Sequence, residues 1–181
     1  MNYYSRDEIR LIVNKIIVDT KSFAPPIDVT NIAKTLGVNI IFEELDDDVS
    51  GFLVIKDNSA TIAVNNSHHS NRQRFTIAHE LGHFSLHGSE DDNDVLFIDK
   101  KIYHRNQASG TGEFRREIEA NQFAAEILMP KDMVVSAEKD SGDEIDLSDD
   151  ENIYMLANKF QVSEQALTIR LADLGLIQGL G

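Results

Sequence analysis

Phe75-Thr76-Ile77-Ala78-His79-Glu80-Leu81-Gly82-His83 constrains the fold more than any other stretch of the chain. Phe75, Ile77, Ala78, Leu81, Phe84 and Leu86 make a helix here apolar around much of its circumference, so it is expected to be buried. A buried helix does not carry two histidines and a glutamate together without partners, because unpaired polar groups are costly away from water. Residues four apart on a helix share a face, about 6 Å apart along the axis. His79 and His83 therefore aim two imidazoles at one point, where a zinc ion can sit about 2.0–2.1 Å from each nitrogen. Glu80 follows the first histidine and is placed to take a proton from a water at that ion, as in His-Glu-x-x-His zinc peptidases. Gly82, in mid-helix, costs about 1 kcal/mol against alanine. Close approach of another backbone would justify that cost.

A catalytic zinc needs a third protein ligand and an open position. A metzincin would place a histidine six residues after His83, where Ser89 stands, and a glycine midway, where Leu86 stands. The alternative is a glutamate on a later helix. Residues 114–129 read as such a helix, with Ile118, Phe123, Ala125 and Leu128 on its apolar face and Pro130 ending it. Glu117 and Glu119 compete for the metal, and since they lie about 200° apart around a helix both cannot face one ion. Glu117 shares its face with Asn121, which can hydrogen-bond a ligand histidine and fix its ring. Glu119 shares a face with Arg115, Arg116 and Phe123 and reads as half of a surface pair, so Glu117 is the choice. His87, four residues beyond His83, is open to three roles: ligand, substrate contact or helix cap. A supporting role fits best, because three histidines along one straight helix do not readily converge on a tetrahedral ion.

Around this helix the pattern is α+β. Ser5 and Glu8 make a capping box for a helix carrying Ile9, Ile12, Val13, Ile16 and Ile17. A short helix over 31–36, capped by Asp28 or Thr30, ends at Gly37. Three strands follow, at 38–42, 51–55 and 60–65, the last two joined by a turn at 56–59. They form a small sheet packed on the zinc helix, whose edge can accept an extended peptide as an added strand. Ser70 or Asn71 is expected to cap the zinc helix, and His68 and His69 in the preceding loop read as solvated. Residues 89–113 hold an acidic run, the apolar Val95-Leu96-Phe97-Ile98 and a polar stretch; a long irregular segment there suits a flap over the cleft. Within it Tyr103 or His104 can donate to a developing oxyanion.

The tail carries eight acids against one lysine over 136–151 and reads as a solvated linker. Two amphipathic helices follow with helix-turn-helix proportions. The second offers one cation, Arg170, and residues 151–181 have two bases against three acids, so no direct nucleic-acid binding is expected. A cap on the core or a docking surface for a partner fits better. The expected organisation is a core over 1–135, a linker over 136–151 and a helical subdomain over 152–181.

At 181 residues one main domain is the prior. There is no cysteine, so no disulfide or thiolate metal site is possible, and the absence fits the cytosol. The net charge of −14 opposes non-specific binding to nucleic acid or anionic membrane and favours a basic partner. The polar first eight residues do not read as a signal peptide, and no apolar run approaches the roughly 20 residues of a membrane span.

Arg-Phe-Thr-Ile-Ala-His-Glu-Leu-Gly-His at 74–83, followed by Glu-x-Glu-Ala-Asn-x-Phe-Ala-Ala-Glu-x-Leu-Met-Pro at 117–130, resembles the ImmA/IrrE family of zinc metallopeptidases. The likeness extends to the helix-strand entry around 27–38 and to the helical pair around 156–176. It implies a zincin-like core, with one zinc on His79, His83 and Glu117 and Glu80 as base. It further implies a cytoplasmic endopeptidase that cuts a helix-turn-helix repressor of a phage, mobile element or stress-response module. Some relatives are paired with repressors in toxin–antitoxin-like modules. The rival expectation is a non-catalytic module that keeps the fold and sequesters a transcription regulator.

Overall fold

A computed structural model describes residues 3–57, 59–88, 95–100, 111–139 and 149–177, of which 95–100, 111, 138 and 139 are described by their backbone. Ser5 caps α1 (Arg6–Asp19) in the expected capping box: the Glu8 N–H donates to Ser5 Oγ at 3.3 Å, and the Ser5 N–H to Glu8 Oε2 at 2.8 Å. Ile9, Val13, Ile16 and Ile17 form its buried stripe. Asp28, rather than Thr30, caps α2 (Val29–Thr35), and Gly37 follows in the left-handed region at φ 76°.

The strands β1 (Val38–Glu43), β2 (Val49–Lys56) and β3 (Ser59–Asn65) form where expected. The sheet then exceeds the expectation by one strand. β4 (Val95–Lys100) pairs antiparallel with β2, so the order is β1-β3-β2-β4. The apolar run at 95–98, read as part of an irregular segment, is β-branched and aromatic enough to add to a sheet once an edge is offered. β3 lies between β2, its antiparallel hairpin partner, and β1, to which it is parallel.

α3 (Ser70–His87) crosses one face of this sheet. Gly51 allows the approach: a Cβ there would come within 2.5 Å of both Ala63 O and Thr76 Cγ2. α3 is capped by His69, not by Ser70 or Asn71; the Asn71 N–H donates to His69 Nδ1 at 3.2 Å. The imidazole lone pair thus satisfies one of the free amides of the first helical turn. α4 (Thr111–Leu128) packs across α3, and α5 (Lys131–Lys139) continues helix into the stretch read as an acidic linker.

α6 (Asp150–Phe160) and α7 (Glu164–Asp173) form the expected helical pair, with Ser163 capping the second helix. Their buried side chains, Leu156, Phe160, Leu167 and Leu171 among them, belong to one hydrophobic cluster with those of α1, the sheet, α3 and α4. Polar ties reinforce the seam. Asn71 Nδ2 donates to Val162 O at 3.0 Å and Arg74 Nη2 to Ile27 O at 2.9 Å. Arg170 is buried, donating to Glu126 Oε2 at 2.6 Å and to Met129 O at 3.0 Å. The one cation the sequence offers on the second helix therefore faces the core and not a phosphate. Arg6 of α1 and Asp173 of α7 approach to 3.6 Å. No described helix is long and apolar enough to cross a membrane.

Candidate metal centre

α3 carries His79, Glu80 and His83 at its buried middle, and α4 brings Glu117 over them. The helices can meet closely because residue 82 has no side chain. A Cβ on Gly82 would lie 3.0 Å from Ala120 Cα and 3.1 Å from Ala120 O. The crossing therefore rests on backbone against backbone, which accounts for a glycine that helix propensity disfavours.

Three side chains converge beside this crossing. His79 Nε2 and His83 Nε2 are 3.1 Å apart. Glu117 Oε1 lies 3.1 Å from His83 Nε2, and its Oε2 lies 3.3 Å from His79 Nε2. Ligands held about 2.0–2.1 Å from a tetrahedral ion stand about 3.3 Å from one another. The donor set thus has the chemistry and the spacing to hold a small divalent cation. His79 and His83 are buried, and the Glu117 side chain is 30% exposed.

Burial alone would raise the Glu117 carboxyl. Hydrogen bonds from His79 and His83, with the charge those rings can carry, more than offset it and hold the group well below the usual carboxylate range. Glu117 is thus an anion ready for a cation. His79 Nδ1 lies 3.1 Å from Asn121 Oδ1. A carbonyl oxygen only accepts, so Nδ1 carries a proton, and once Nε2 gives up the proton it shares with Glu117 it is the nitrogen free to offer a lone pair to a cation. Phe75 stacks beside the His79 ring, centroids 6.2 Å apart. Glu80, fully buried, follows His79 on the same helix.

The remaining candidates separate. His87 is buried but points away from the cluster: its Nε2 lies 3.5 Å from Glu119 Oε2. Glu119 is likewise buried, and Oε1 accepts from the Tyr4 N–H at 3.0 Å. The expected surface pairing of Glu119 is thereby corrected. Its partners come from α3 and from the segment ahead of α1, and neighbours on its own helix gave no sign of them. Tyr103 and His104 lie outside the described residues. Sequence reasoning also missed Asn65, whose buried amide donates to Asp46 O and Val49 O at 3.2 and 2.9 Å and holds the loop between β1 and β2.

The mixed sheet, the crossed helices and a His-His-Glu group able to hold a metal define an α+β protein with a candidate metal centre at its helix crossing. The IrrE N-terminal-like domain, a peptidase family, matches residues 33–172, and the chain belongs to that family. It is similar to an uncharacterized immunity region protein 2 of Bacillus phage phi105, with 27% identity over 133 residues, 74% of this chain and 75% of that protein. The fold is also similar to a Mycobacterium tuberculosis transcriptional regulator, with a TM-score of 0.61 and 16% identity. That match covers 93% of this chain, which spans about half, 48%, of the regulator's length.

Proposed function

We propose that this protein is a zinc-dependent endopeptidase that cleaves a helix-turn-helix repressor. The observation that carries the reading is the convergence of His79, His83 and Glu117 within 4.8 Å of one another, with Glu80 next to the first ligand. The family match and the likeness to a phage immunity region protein support a substrate among phage or mobile-element repressors.

His79, His83 and Glu117 would hold the ion, and two nitrogens with one carboxylate oxygen suit zinc. When bound, zinc supplies the positive charge that acidifies water and polarises a peptide carbonyl. Asn121 keeps His79 in the ligating tautomer. Glu80 takes the proton of the attacking water and returns it to the leaving amine, and its burial keeps that transfer away from bulk solvent. The surplus of negative charge favours encounter with a basic, DNA-binding substrate.

Glu80→Gln tests the reading. Wild type and variant, both loaded with zinc, are incubated with repressors encoded beside the gene, and fragments are sought by mass spectrometry. Cleavage by the wild type and none by Glu80→Gln is the expected result. A repressor that is inactivated equally by both proteins without being cut would replace proteolysis with sequestration.

A further inference from the structure

The helix crossing at Gly82 and Ala120 is a contact about which α4 can roll. At 100° per residue, Glu117 lies about 60° to one side of Ala120 and Glu119 about 100° to the other. The metal-ligand carboxylate thus hangs on one flank of the contact line and a second buried carboxylate on the opposite flank. A roll that loosens one flank moves the other.

The second flank is held from two directions. On α3, His87 Nε2 lies 3.5 Å from Glu119 Oε2. From the segment ahead of α1, the Tyr4 N–H donates to Glu119 Oε1 at 3.0 Å. One helical turn back on the same stripe of α4, the Arg115 guanidinium lies 4.4 Å from the centre of the Tyr3 ring. Two consecutive residues, Tyr3 and Tyr4, therefore grip α4 at two points about 6 Å apart along its axis. Both points lie off the axis and so resist rotation about it, and their separation along the axis resists tilt as well.

We infer that Tyr3, Tyr4, Glu119 and His87 form a brace that sets the roll of α4 and so positions Glu117 against His79 and His83. None of the four touches the metal position; they are positioning residues acting through α4. The inference rests on the metal reading, and it adds a source of affinity remote in sequence from the ligands. Groups hydrogen-bonded directly to metal ligands change affinity by about 10–100-fold when lost, and a brace acting through the helix is expected at the lower end of that range.

The test uses the full chain and cobalt(II), whose visible spectrum reports ligand geometry. Tyr4→Pro removes the N–H that Glu119 accepts, Tyr4→Ala keeps it, and Glu119→Gln weakens the acceptor and its tie to His87. Each is titrated with cobalt(II) against a competing chelator, and the metal-free stability of each is measured in denaturant. The expected result is at least tenfold weaker binding and an altered cobalt spectrum for Tyr4→Pro and Glu119→Gln, with Tyr4→Ala within threefold of wild type. Should Glu119→Gln not fold, the Tyr4 pair decides alone. Wild-type affinity and spectrum in Tyr4→Pro would overturn the brace, as would equal losses in Tyr4→Pro and Tyr4→Ala. A wild-type protein that binds no cobalt(II) and no zinc would overturn the metal reading itself.

Discussion

Replacing Gly82 with alanine sets two physical effects against each other, and the structure decides between them. Helix propensity alone makes Gly82→Ala stabilising by about 1 kcal/mol. The new methyl would lie 3.0 Å from Ala120 Cα and 3.1 Å from Phe123 Cβ. Carbon atoms rest about 3.5–4.0 Å apart, so α4 must retreat by roughly 0.5 Å. Ala120, Phe123 and Ala124 are all fully buried, so a retreat of α4 disturbs the packing of each. Overpacking of this kind costs about 1–3 kcal/mol. The expected net is a destabilisation of about 1 kcal/mol for the metal-free protein, measured by guanidinium unfolding in chelator. Glu117 sits one turn before Ala120 and moves with it. Since sites of this kind tolerate only about 0.5 Å of displacement, zinc affinity by chelator competition is expected to fall roughly tenfold. A variant about 1 kcal/mol more stable than wild type, with unchanged affinity, would refute the close-contact reasoning.

Three further outcomes are expected. Asn121→Leu frees the His79 ring from its 3.1 Å hydrogen bond, and zinc affinity should drop about 10–100-fold with little change in metal-free stability; unchanged affinity would mean the ring is oriented by packing alone. Arg170→Ala leaves the Glu126 carboxylate buried without its 2.6 Å partner and should cost about 3–5 kcal/mol, whereas Glu126→Leu combined with Arg170→Met should cost much less in the same denaturation assay. Glu117 gives the metal-free protein an acid limb. Its folded value is depressed, so its contribution to stability is complete above the unfolded value of about 4.3 and is lost as pH falls below it. Stability followed by denaturant midpoint should therefore decline below about pH 4.5, and Glu117→Gln should flatten that decline.

Local patterns carried most of the fold. The capping box at Ser5, the 3.6-residue spacing of α1 and the antiparallel pairing of β2 with β3 each involve residues close in sequence, and each formed as read. At the site, helical arithmetic set Glu117 apart from Glu119, and it is Glu117 whose carboxylate lies beside the two histidines. What escaped was set by distant partners. Val95–Lys100 is a strand because β2 offers an edge, and a run of four apolar residues does not declare that by itself. Glu119 looked like a surface residue because its partner Tyr4 lies 115 positions away, and Arg170 looked available because Glu126 lies 44 positions away. Buried charges are where sequence reasoning is weakest. Periodicity marks which face is apolar and says nothing of a charge that enters the core with a partner.

The approach of Arg6 to Asp173 places the start of α1 beside the end of α7. Arg10 of α1 also lies 3.6 Å from Glu126, the carboxylate that Arg170 of α7 holds, so both outer helices meet on one residue of α4. Glu126 thus acts as a keystone: α1 and α7, far apart in the chain, are tied to α4 through a single carboxylate, and a change there reaches both at once.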